Sequence, residues 1–387
     1  MKLFFKILGG IFATLLLVIL LLYLFNYDYI LKGIRVVYLT GHDTAYIDDY
    51  PEFANRTIKA DTSNASEWPL HSNYNSVKPT ERLNETNEEL GTVAFLIIKN
   101  DSIWYENYSK DYGTSSRSNS FSMAKSITVS LLGKAIKDGY IKGLDQPVGD
   151  FLPDFNKAEE LKLTVGDLAS MSSGLNWDEN YYNPFSQTAK AYFAENIRSD
   201  ALGLKVVEEP GNSFKYLSGN TLVLGMVIEK ATGEKLSNYL SESFWKPMGM
   251  QHDALWQLDS EESGLEKAYC CIASNARDFA RFGKLYKDQG AWNGKQLLSP
   301  DFVKTATHAR FKDSPEYGYG FWLNTYKGKD VFYMWGVLGQ YVFVIPEDNL
   351  IIVRLGHQLI KADEGDIYSK DSFIYLDETY KMLENAS

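Results

Sequence analysis

Strand-forming runs open and close the region between residues 92 and 356, and a mostly helical stretch from about 140 to 310 separates them. "TVAFLIIKNDSIWYENY" is two β-rich runs around the turn residues Lys99-Asn100-Asp101, which predicts a hairpin. Far downstream, "YGYGFWLN", "VFYMW", "QYVFVIP" and "LIIVRLG" predict successive strands, with turns at Lys327-Gly-Lys-Asp and Glu347-Asp-Asn. Phe373, Leu376, Tyr380 and Leu383 then recur at helical spacing, with Asp371 and Ser372 as cap candidates. The expected fold is therefore α/β in the broad α+β sense: an antiparallel sheet flanked by helices, with a mostly helical lobe inserted in the middle. At 387 residues, 45% of them hydrophobic, the chain can bury a core of that size.

The first 25 residues differ from all that follows. From Ile7 to Phe25 there are 19 residues without a charge. At about 1.5 Å of rise each, a helix of that length nearly spans a hydrocarbon core of about 30 Å. Tyr-Leu-Phe-Asn-Tyr-Asp follows rather than a small-residue cleavage site, which favours an uncleaved transmembrane helix over a signal peptide. The expected organisation is a short basic segment (1–6), a transmembrane anchor (7–25), an extended arm without sustained periodicity (26–84) and a folded domain (85–387) that lies outside the cytoplasm. Fifty acidic residues against 39 basic ones, a net charge of −11, argue against a nucleic-acid partner. The five histidines are scattered without metal-ligand spacing, so neither a metal nor a cofactor is expected. His357, ending the last strand, is open between a place near a site and a capping or surface role. The two adjacent cysteines, Cys270 and Cys271, are expected as core thiols, because a bond between neighbours needs a strained backbone.

The chemistry is concentrated in Ser122-Met-Ala-Lys125. Ser and Lys three apart on a helix share a face, so the amine can reach the hydroxyl, and the positive end of a helix that begins there favours a developing anion. Ser is also a common helix cap, and the same spacing recurs at Ser243-Phe-Trp-Lys246. That second pair is followed at once by Pro247 and Gly249, whereas Ser122 heads a nearly all-apolar helix running to Gly139. No Gly-x-Ser-x-Gly elbow is present.

With Ser122-Met-Ala-Lys125 in place, the blocks "LTVGDLASMSSGLNWDENYYNP", "EPGNSFKYLSGNTLVLGMVIEKATG", "FWKPMGM", "SNARDFARFGKLYKDQGAWNGKQLLSP" and "GVLGQYVFVIPEDNLIIVRLG" follow in an order that resembles the serine β-lactamase and penicillin-binding-protein superfamily, and within it the class C-like esterases and 6-aminohexanoate-dimer hydrolases. The likeness spans roughly residues 85 to 360. It implies a β-lactamase/transpeptidase-like fold and a serine hydrolase acting on a small-molecule ester or amide. Ser122 would be the nucleophile, Lys125 its base and Tyr216 the residue that shares the proton. Ser218 stands where many relatives have asparagine and could still bond Lys125. The oxyanion hole would use the backbone N–H groups of Ser122 and Val337, after Gly336, with Gly339 as the alternative register. Tyr181 matches a loop that lines the cleft. Where β-lactamases and peptidases have Lys or His before the strand glycine, this chain has Met334-Trp335, and Trp335 could form an apolar wall instead. A D-alanyl-D-alanine carboxypeptidase or β-lactamase, and a silent binding or sensor ectodomain, are the competing readings.

Overall fold

The computed structural model describes residues 1–156 and 162–386. Helix α1 (Lys2–Leu24) stands clear of the rest, with none of its residues buried, and is long and apolar enough by length and composition to cross a membrane. Next come α2 (Tyr29–Val36), β1 (Asn55–Ile58) and α3 (Glu81–Glu89). The hairpin β2 (Thr92–Lys99) and β3 (Ser102–Tyr108) turns through Asn100 and Asp101, both at positive φ. A two-residue strand, β4 (Ser118–Asn119), leads into α4 (Met123–Lys137). The inserted lobe contains α5 (Val165–Ala169), α6 (Gln187–Phe193), α7 (Arg198–Leu202), α8 (Ser218–Thr232) and α9 (Leu236–Leu240). The chain returns through β5 (Ala254–Gln257), β6 (Ile272–Ser274), α10 (Ala276–Lys287), the small hairpin β7 (Ala291–Trp292) and β8 (Lys295–Gln296), and α11 (Pro300–Ala306). It ends with β9 (Trp322–Tyr326), β10 (Lys329–Gly336), β11 (Gln340–Ile345), β12 (Leu350–Gly356) and α12 (Lys370–Glu384).

The main sheet is antiparallel in the order β3-β2-β12-β11-β10-β9, so strands from both ends of the domain meet at the β2–β12 pair, where Ile97 faces Ile352. Both faces are buried, and side-chain alternation divides them. Leu96 and Ile98 of β2, Val342 and Val344 of β11, and Ile351 and Val353 of β12 face the larger core with α4, α8 and α10. Phe95, Ile97, Tyr341, Phe343 and Ile352 point the other way, onto α3 and α12 through Leu83, Tyr375 and Leu376. A second sheet, ordered β1-β5-β6-β4, lies where α4 begins.

Three expectations need correction. Residues 26–84 are not featureless: α2, β1 and the start of α3 lie there, and β1 pairs with β5 some two hundred positions away, which no local period can reveal. Helix α12 starts behind Ser369, not Asp371 or Ser372; Asp371 is buried within its first turn and accepts from Ile360 N at 3.1 Å. Cys270 and Cys271 form a disulfide. Cys271 takes a positive φ of 73°, and neighbouring groups hold the turn: the Cys270 carbonyl accepts from Trp256 Nε1 and the Cys271 carbonyl from Gln257 N. The backbone cost that argued against the bond is offset by these contacts.

Candidate active site

Ser122 occupies the N-cap position of α4, reached through a backbone turn that few side chains tolerate: Phe121 has φ of 44°. Asn119 supports the turn by accepting from Phe121 N at 2.9 Å, and is itself held by Asp49, which accepts from Asn119 Nδ2 at 2.9 Å and from the Tyr192 hydroxyl at 2.6 Å. Ser120 pairs with Ile272 in both directions. The half-buried Ser122 is thus anchored from both sides of its strand.

Lys125, one turn along α4, is 1% exposed, and its ammonium nitrogen meets three oxygens: Ser122 Oγ at 3.0 Å, Ser218 Oγ at 3.1 Å and the Tyr269 carbonyl at 3.0 Å. Burial lowers its pKa to about 8, against an opposing pull from Glu179. Tyr216 comes from the loop before α8, with its hydroxyl near Ser122 and the Lys125 nitrogen 4.9 Å from its ring centroid. Burial raises the Tyr216 pKa, so it stays a phenol, a proton donor. The two groups meet on Ser122 with their proton affinities pushed in opposite directions, which suits a base and an acid acting on the same oxygen.

Gly336 and Gly339 resolve differently. A Cβ on Gly336 would lie 2.2 Å from the Ser120 carbonyl oxygen, so the end of β10 comes against the strand before Ser122 only because that residue has no side chain. Gly339, at φ of 78°, sits in the β10–β11 turn beside Arg354. Arg354, fully buried, donates to the carbonyls of Leu338, Gly339 and Leu90, and Gln340 donates to the Val337 carbonyl at 3.1 Å. These contacts brace the strand end that carries Val337.

Three contributors escaped the sequence reading. Glu179 accepts from Ser218 Oγ, Ser218 N and the Tyr181 hydroxyl, each at 2.6 Å, so Ser218 bridges the carboxylate to Lys125. Its proximity to Tyr181 was the only sequence signal. The Tyr269 carbonyl has none, because any residue offers that atom. Trp322, hidden in a strand pattern, packs with its ring centroid 5.3 Å from that of Tyr216 and 4.9 Å from that of Trp335. Tyr181 is half exposed, with its hydroxyl turned inward to Glu179. His357 bonds the Gly91 carbonyl through its backbone and faces Tyr112. The second Ser-x-x-Lys is unlike the first: Ser243 lies in a π-helical turn and Lys246 pairs with Glu242.

The family model described as Beta-lactamase matches residues 80–370. The chain belongs to the Beta-lactamase family. Among curated members, it is 24% identical over 290 residues to 6-aminohexanoate-dimer hydrolase of Paenarthrobacter ureafaciens, covering 69% of this chain and 73% of that one. It is 27% identical over 255 residues to teichoic acid D-alanine hydrolase of Staphylococcus aureus, covering 59% of each. A solved Bacillus anthracis structure assigned as a 6-aminohexanoate-dimer hydrolase superposes with a TM-score of 0.73 at 20% identity, over 91% of this chain and 93% of that one. The β-lactamase/transpeptidase-like fold and a place among the serine hydrolases of this family follow.

Proposed function

We propose that the protein is a membrane-anchored serine hydrolase that cleaves a small-molecule ester or amide through an acyl-enzyme on Ser122, with the catalytic domain outside the cytoplasm. One observation carries the reading: a buried lysine of lowered pKa shares its nitrogen between Ser122 and Ser218, under a tyrosine kept protonated. In its neutral form Lys125 takes the Ser122 proton as Oγ bonds to the substrate carbonyl carbon. The oxyanion that forms is held by the N–H groups of Ser122 and Val337. Tyr216 donates its proton to the leaving oxygen or nitrogen as that bond breaks, and is reprotonated by the Lys125 ammonium, which gives up the proton it took from Ser122. Water then repeats the sequence on the acyl group and frees Ser122. No cofactor or metal is required by these steps. Ser218 and Glu179 hold Lys125, Tyr181 borders the cleft, and Trp322 with Trp335 gives an apolar wall beside Gly336, which favours uncharged substrates. The location is supported by α1 and by the Cys270–Cys271 disulfide, since such bonds persist in oxidising compartments. The test is steady-state hydrolysis of an activated ester: Ser122→Ala is expected to lose at least about a thousandfold in kcat, and Ser243→Ala to lose nothing. Equal rates for the wild type and Ser122→Ala would end the reading.

A further inference from the structure

The end of α1 and the mouth of the site are joined by one loop. Leu24 closes α1 and Tyr29 opens α2. Between and at these points the chain meets the domain: the Tyr27 ring packs edge-on to Phe185 at 5.3 Å, and the buried Tyr29 donates its hydroxyl to the Pro184 carbonyl at 2.9 Å. Pro184 and Phe185 belong to the segment whose other end brings Glu179 to Ser218 and Tyr181 to Glu179. The exit does not swing freely, because Lys32 of α2 pairs with Glu195 and Gly33 lies against the Phe193 ring.

Five residue steps of at most about 3.6 Å separate Leu24 from Tyr29, so Tyr29, whose hydroxyl meets Pro184, lies within roughly 18 Å of the helix end. The outer side of the segment around Pro184 is apolar where a soluble surface would be polar: Tyr182 is 84% exposed and Phe185 60%. Lys361 lies over the Tyr182 ring at 5.4 Å and supplies a positive charge at the same place. Exposed aromatic rings with a neighbouring lysine, next to the end of an apolar helix, have the composition of a membrane interface.

We infer that residues 181–185 rest on the bilayer from which α1 emerges, and that the substrate is a membrane-borne amphiphile whose scissile ester or amide lies at headgroup level. The substrate class rests on the hydrolase reading above; the docking face does not. Both are tested with the full chain reconstituted in phosphatidylcholine vesicles. A Tyr182→Cys variant carrying an environment-sensitive fluorophore is expected to be quenched by nitroxide-labelled lipid in the same vesicles, and absence of quenching overturns the docking face. Activity is measured on two esters with the same acyl group, one water-soluble and one carrying a long alkyl tail held in the vesicles. The double variant Y182D/F185D is expected to cleave the soluble ester within twofold of the wild type and the vesicle-borne ester at least tenfold more slowly, with anchoring by α1 equal in both proteins. An equal loss on both esters, or none on the vesicle-borne one, overturns the substrate class. Quenching of the labelled Tyr182→Cys protein, together with a wild type that cleaves neither ester, keeps the docking face and removes the hydrolase reading together with its substrate.

Discussion

In the proposed mechanism Lys125 is the residue on which the chemistry depends, and its charge state would set the pH dependence. Burial holds its pKa near 8, so the free-base fraction, and with it kcat/KM, is expected to rise as pH increases toward and through that value. Glu179 acts in the opposite sense: its carboxylate favours the ammonium form. Glu179→Gln should therefore move the acid limb of the kcat/KM profile to lower pH, a direction opposite to that of simple damage to the site. A profile of unchanged midpoint in an active variant would remove Glu179 from the account. Lys125→Ala and Tyr216→Phe should each cost about a hundredfold or more, and the double variant little beyond the worse single one, because both groups act on the Ser122 oxygen. Fully additive losses would contradict a common proton path. Ser122 and Lys125 were proposed from residue type and spacing and Tyr216 from block order, and the structure brings the three side chains together. Glu179 and the Tyr269 carbonyl were not, since each matters only through atoms brought close by distant parts of the chain.

At the scale of elements, the helix that carries Ser122 is held in place by its surroundings rather than by its own cap, since the Ser122 side chain makes no capping bond. The supporting chain runs from Asp49 through Asn119 to the Phe121 backbone. Asp49→Ala would leave Asn119 Nδ2 and the Tyr192 hydroxyl short of a partner in a buried place. It is expected to lower stability by about 1–3 kcal/mol in denaturant titration and to reduce kcat more than it changes KM. A stability loss with kcat intact would make the contact structural only. The main sheet was readable from sequence because strands buried on both faces read as short continuous β-rich runs bounded by turn residues, as adjacent Phe95 and Leu96, buried on opposite faces of β2, illustrate. β1 and the disulfide were unreadable for a shared reason. The partner of β1 lies in β5, and the positive φ of Cys271 is sustained by β5 as well, through Trp256 and Gln257. Long-range contacts of this kind leave no local pattern.

For the whole molecule, α1 is expected to be separable from the domain that follows it, but the point of separation matters. Deleting residues 1–24 keeps Tyr27 and Tyr29 and is expected to leave soluble-ester hydrolysis within about twofold. Deleting residues 1–30 removes the Tyr29 bond to Pro184 and frees the loop that carries Glu179; a hydrogen bond worth about 1 kcal/mol corresponds to a loss of about fivefold. Equal rates for the two truncations would show that α2 does not steady the loop. All of these effects presuppose a covalent intermediate at one serine among the many in the chain. Its most direct test is peptide-mapped mass spectrometry of protein quenched during turnover of a slowly deacylating ester. The account predicts an acyl adduct on the peptide containing Ser122, absent from Ser122→Ala and unchanged in Ser243→Ala; an adduct on Ser243, or one that survives in Ser122→Ala, would contradict it.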